Sequence, residues 1–189
     1  MKPIFKCGLA AIALAALPLT SACSQVDDQD PKTATKDDGT ITLAAALGAE
    51  DGMDTLQNAI TNSELSGVLD GPASYTLLAP TDAAFDALGD EGKALLTDDQ
   101  RPLLVGLLRE HMLPGHLTPE TIEKAIADKG GPVTISTLGE SQVTFSMNGD
   151  QLSAALPGGA TAAITGTAIA ANNGVVIPLD TVLMPQKAG

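Results

Sequence analysis

Apolar residues recur at helical spacing once the chain becomes consistently hydrophobic, near Ile41. Leu43, Ala44 and Leu47, then Met53, Leu56 and Ile60, predict helix. Leu65, Val68 and Leu69 form a further short apolar face stopped by Gly71-Pro72. Tyr75 to Ala79 is a short apolar run before Pro80 and predicts a buried strand. Thr81 or Asp82 can cap a short helix carrying Phe85 and Leu88, with Gly89 ending it. Leu103, Leu104, Leu107, Leu108 and Met112 predict a longer helix broken at Pro114-Gly115, with Thr97 and Gln100 spaced as a capping box ahead of it. Thr118-Pro119-Glu120 supplies a cap, a first-turn Pro and a first-turn acid for a helix through Ile122, Ala125 and Ile126.

Past Gly130-Gly131-Pro132 the period changes to two. Val133 and Ile135 alternate with Thr134 and Ser136, and Val143, Phe145 and Met147 alternate with Thr144 and Ser146 before an Asn148-Gly149 hairpin turn. Leu152 to Leu156, Ala162 to Ala171 and Val175 to Val182 are further strand-like runs, separated by Gly158-Gly159 and Asn172-Asn173-Gly174. Helices come first and strands later, so the expected class is α+β with a largely antiparallel sheet or sandwich.

The front of the chain has a different pattern. Lys2 and Lys6 precede an uncharged apolar stretch, Gly8 to Leu19, which ends in the small residues before Cys23. Such a stretch is too short to span a bilayer and is expected to be an export signal over residues 1–22. The Cys at the cut is similar to the acylation site of bacterial lipoproteins, although Thr20 stands where Leu is usual, so Cys23 is the expected lipidation site and simple secretion the alternative. Acyl chains contribute about 0.8 kcal/mol per buried CH₂, enough for several chains to anchor the protein. Residues 23–39, rich in Asp, Thr and Lys, lack the apolar content to order themselves and read as an acidic disordered tether. The ordered domain is expected over 40–186.

Composition narrows the function classes. Ten Lys and Arg against 23 Asp and Glu give a net charge of −13, and the chain has no Trp, one Tyr and three Phe. Neither phosphate neutralisation nor base stacking suits such a surface, so nucleic acid is excluded as a partner. Cys7 would leave with the signal, and one remaining Cys forms no internal disulfide.

Three segments carry a family resemblance. Tyr75 to Leu88 (YTLLAPTDAAFDAL) resembles the first signature of fasciclin (FAS1) domains, a hydrophobic strand followed by a Pro-Thr-Asp/Asn-x-x-Phe helix, here Pro80, Thr81, Asp82 and Phe85. Asn173 to Pro185 (NGVVIPLDTVLMP) resembles the closing signature, with Asn173, Gly174 and the near-terminal Asp180. Between them, Leu104 to Leu117 resembles the family's helix ending in Tyr-His and Val-Pro-Gly, here with His111, Pro114 and Gly115. The resemblance implies a wedge of about seven β-strands flanked by several helices, with these residues mostly structural and Asp180 a buried hydrogen-bond acceptor.

Three positions depart from the family pattern: Glu110-His111 for Tyr-His, Ala168-Ile169 for Asp-Ile, and Ile177 for a common His. The first two lie in motifs linked to receptor binding in animal members, which argues against an integrin-type activity.

Catalytic chemistry has little to stand on. His111 and His116 are five apart across Pro114-Gly115, the wrong spacing for a paired metal site on one helix face, even with Glu110 and Glu120 nearby. His111 is expected to serve as a structural hydrogen-bond partner at a helix end, and His116 to lie at the surface. No nucleophile elbow, phosphate loop or dinucleotide fingerprint is present. No cofactor, metal or catalytic residue is therefore expected. The resemblance implies adhesion, or binding of a protein or glycan component of the envelope, matrix or surface. A binding module for a small molecule or glycan, and an envelope enzyme using spatially paired carboxylates, are the alternatives.

Overall fold

The computed structural model describes residues 35–37 and 39–185. The expected signal segment, Cys23 and most of the expected tether lie outside the described residues. Seven helices occur among the described residues, interleaved with the first three strands rather than wholly preceding them: α1 (Leu43–Gly48), α2 (Asp54–Asn62), α3 (Ser66–Leu69), α4 (Asp82–Asp86), α5 (Asp90–Leu95), α6 (Arg101–Glu110) and α7 (Pro119–Lys129). They surround two sheets. The first has the strand order β1 (Thr35–Asp37), β8 (Ala168–Ala171), β9 (Gly174–Leu179), β2 (Tyr75–Pro80), β3 (Met112–Pro114). The second runs β4 (Val133–Ser136), β5 (Gln142–Asn148), β6 (Gln151–Ala155), β7 (Thr161–Ala163). The α+β class expected from the pattern is the one observed, with nine strands among the described residues rather than about seven.

The first sheet is mixed, not largely antiparallel. β2 and β9 lie parallel at its centre, from Tyr75 opposite Gly174 to Pro80 opposite Leu179, and β1 lies parallel to β8. Both faces of this sheet are covered, which is why its strands read as continuous apolar runs rather than alternations. Leu77, Ala79 and Val176 face the helices, against Leu47, Leu56, Phe85 and Leu104. Leu78, Val175, Ile177 and Leu179 face the second sheet, against Phe145, Val143 and Leu152, and Ile122 of α7. The second sheet is antiparallel throughout and buries one face, so its strands do alternate. At the centre of the first sheet β9 begins with Gly174, where any Cβ would collide with the carbonyl oxygen of Tyr75 on β2.

Several local expectations are corrected. Thr35–Asp37, at the end of the expected tether, is an edge strand. Its order comes from ladder bonds to β8 and from the Thr35 hydroxyl donating to the Glu120 carboxylate at 2.8 Å, neither of which requires apolar side chains. The run at Ala162 to Ala171 is two strands in different sheets, parted at Gly166 with its positive φ of 65°. Met112 belongs to β3, because α6 stops at Glu110 and His111 caps it. Thr97 forms no capping box; its hydroxyl instead donates to the Ala94 carbonyl at 2.7 Å. α5, between Gly89 and Leu96, is too short and too charged to give a periodic signal. The hairpin between β5 and β6 turns on Gly149-Asp150, one residue later than the Asn148-Gly149 pair predicts, with Gly149 at φ 64°.

Candidate functional site

The signature residues divide into clasps that hold the fold and residues that shape a groove. Thr81 caps α4 by accepting from the Ala84 amide at 3.3 Å. Asp82 serves a different helix. Its carboxylate accepts from the Thr55 amide at 2.8 Å, satisfying a first-turn donor of α2, whose own N-cap Met53 offers no side-chain bond. Phe85 is buried in the helix-side core and Pro80 closes β2. Pro114 ends β3 opposite Tyr75, and Gly115 donates its amide to the Ser74 carbonyl. Asp180 accepts from the Ala163 amide at 2.8 Å, so it is an acceptor as expected, but an exposed one. It sits past the end of β9, where the sheet no longer covers it.

Asn173 does far more than end a strand. Its Oδ1 accepts from the Leu43 amide at 2.7 Å, while Nδ2 donates to the carbonyls of Leu69 at 2.7 Å and Gly71 at 2.8 Å. One buried amide thereby satisfies the start of α1 and the end of α3. The sequence marks only the turn, since the partners lie more than a hundred residues away.

Glu110 and His111, consecutive at the end of α6, hold two separate segments. The His111 ring is 1% exposed. Its Nδ1 lies 2.9 Å from the Leu107 carbonyl, which can only accept, so Nδ1 carries the proton. Nε2 then accepts from the Leu183 amide at 3.0 Å, tying the closing segment to α6. Burial pushes the imidazole pKa down to about 4, against the raising effects of the Leu107 bond and the Glu110 carboxylate. With both nitrogens engaged by backbone, His111 has no lone pair for a metal or a substrate proton. His116 is exposed on the loop beyond β3. No cluster of three His, Cys, Asp or Glu side chains suited to a metal occurs among the described residues.

Glu110 is 8% exposed, a buried carboxylate. It accepts from the Thr137 hydroxyl at 2.7 Å and from the Glu140 amide at 3.0 Å, fixing the loop between β4 and β5. Gly139 lies so close that a Cβ there would strike the Glu110 carboxylate.

Between these two fixed segments lies a cavity of about 670 Å³. Leu103, Gly106 and Leu107 of α6 form its floor, Leu138 to Glu140 one wall, and Met184 and Pro185 the other. Leu103 is 57% exposed, an unusual setting for a leucine on an otherwise amphipathic helix. Gly106 is exposed in mid-helix, and a Cβ there would meet nothing within 4 Å. No contact among the described residues requires that glycine, although it weakens the helix. Gly106→Ala is therefore expected to stabilise the protein by about 0.5–1 kcal/mol, seen as a higher denaturant midpoint at an unchanged slope.

The departures from the family pattern have different consequences here. Ala168, Ile169 and Ile177 are buried in the strands of the first sheet, so these changes concern packing rather than a recognition surface. Only Glu110 borders the groove.

A mixed five-stranded sheet, helices on one face and an antiparallel sheet on the other, define a two-core α+β module with a groove along α6. The chain belongs to the fasciclin domain family, whose model matches residues 51–185. Fasciclin domains are associated with adhesion or binding. The chain is similar to the transforming growth factor-beta-induced protein ig-h3 of Sus scrofa, with 29% identity over 79% of this chain but only 20% of that protein. It is also similar to Protein sll1483 of Synechocystis sp., with 24% identity over 96% of this chain and 91% of that one. Among solved structures, a FAS1 domain pair from the insect cell adhesion molecule fasciclin I matches with a TM-score of 0.69 at 15% identity, covering 79% of this chain and 52% of that one. That likeness is one of fold.

Proposed function

We propose that this is an exported protein of the bacterial cell envelope, lipid-anchored through Cys23, whose fasciclin domain works in adhesion by binding a matrix or surface component. The fasciclin family match across residues 51–185 carries the adhesion part of this reading, and the basic start, short apolar stretch and small residues before Cys23 support the export and anchor. His111, the buried imidazole, has both ring nitrogens committed to backbone, so it supplies neither acid nor base for catalysis. Crosslinking the protein in its native envelope and identifying its neighbours tests the reading. Reproducible capture of one matrix or surface component is expected, and capture of none would contradict it. The groove of about 670 Å³ supports a second reading, a module binding a small molecule, which a ligand-induced rise in melting temperature would favour.

The anchor has its own test. Cys23→Ser is expected to move the protein into the soluble fraction on detergent partitioning, while Cys7→Ser leaves it with the membrane. Retention of the Cys23 variant in the membrane fraction would rule out the lipid.

A further inference from the structure

We propose that the α6 groove is a docking site for an extended peptide segment that carries an aliphatic side chain beside a Lys or Arg. This deepens the adhesion reading and rests on it. Four features converge. Leu103 and Leu107 give the floor an apolar surface, and Leu103 is left 57% exposed, so covering it is favourable. Gly106 lowers the floor between them; glycine is the residue that lets another backbone approach closely, and no described residue takes up that space. The walls are fixed beforehand by Glu110 and His111 through bonds to Thr137, Glu140 and Leu183, so little ordering remains on binding.

Charge, the fourth, sets the partner's chemistry. Glu110 and Glu140 lie at the groove, and neither forms an ion pair with a described residue. Among the described residues Glu110 receives two neutral donors, and a carboxylate has lone pairs for more. A cation entering the groove would meet two carboxylates that no described cation pairs, a charge complement to it. Arg109 also lines the groove, so the local balance is one cation against two carboxylates within a chain of net charge −13. That balance disfavours an anionic lipid surface. A sugar face would want an aromatic platform, and none of the lining residues is aromatic.

The test is a titration of the isotope-labelled full chain with acetyl-Leu-Leu-Lys-Leu-amide and with the same peptide carrying Glu for Lys, followed by backbone amide shifts. Saturable shifts confined to the α6 floor and to residues 138–140 are expected with the Lys peptide, and binding about tenfold weaker with the Glu peptide. Gly106→Leu, at an exposed position with open space, should fold normally and abolish the shifts; Glu140→Gln should weaken them. Equal binding of the two peptides, scattered shifts, persistence in Gly106→Leu, or no saturable shift would overturn the proposal. Envelope crosslinking separates this from the wider reading. If Gly106→Leu still captures the native partner, the groove assignment fails and adhesion stands; if the unaltered protein captures nothing, the adhesion reading itself fails.

Discussion

Asn173→Ala is expected to destabilise the domain by about 3–5 kcal/mol, enough to unfold much of the population of a marginally stable protein. The substitution leaves three backbone groups without their partner: the Leu43 amide and the Leu69 and Gly71 carbonyls. Asn173 is 8% exposed, so water does not readily replace the lost amide. Asn173→Asp is expected to be no better at neutral pH, because it exchanges the Nδ2 donor for a carboxylate oxygen facing two carbonyl oxygens. Denaturant unfolding at constant slope reads both. A loss below about 1 kcal/mol for Asn173→Ala would place it among ordinary surface substitutions and refute the clasp.

The second large effect is tied to pH. His111→Ala is expected to cost about 3 kcal/mol at pH 7, from the cavity and from the unpartnered Leu183 amide. The native protein holds the imidazole neutral, with a folded-state pKa of about 4 against an ordinary value of 6.5. Between those values the unfolded chain binds more protons than the folded one, so stability falls as pH drops through that window. Above pH 6.5 the contribution is fully present, and by pH 4 about 3 kcal/mol of it is gone. The stability gap between the unaltered protein and His111→Ala should therefore shrink towards zero near pH 4. Protonated Nε2 would present a donor to the Leu183 amide, which is itself a donor. A gap independent of pH would mean that the ring is not buried and neutral.

Local chemistry makes much of the fold legible. Thr118-Pro119 starts α7 where the cap and first-turn Pro predict it, and the Thr118 side chain accepts from the Thr121 amide. The end of α6 is legible only approximately: the apolar stripe and Pro114-Gly115 carry the helix through Met112, whereas it stops at Glu110 and Met112 opens β3. Other features depend on partners distant in the chain. Thr35–Asp37 looks like tether because an edge strand needs only backbone groups and a neighbour to pair with. The parallel pairing of β2 with β9 cannot be read from two apolar runs, since buried parallel and antiparallel strands share that pattern.

The candidate site is legible only in part. Glu110 stands out as a departure from the family's Tyr-His, but its role depends on Thr137 and Glu140 folding back over α6. The groove joins residues of α6 to a hairpin loop and to the closing segment. No spacing rule connects those three. Leu103 fits the apolar stripe that predicts core, yet it lies on the exposed side of α6.

The division between structure and recognition is tested most directly by following envelope-partner capture by His111→Ala as temperature is lowered, with circular dichroism recorded on the same samples. His111 is assigned to holding the fold and the groove wall, so capture should fall with the unfolded fraction, with only a modest further loss from the loosened wall, and recover on cooling. Capture, or turnover of any substrate, that is lost while the folded signal stays intact would contradict that assignment and make His111 a functional group in its own right.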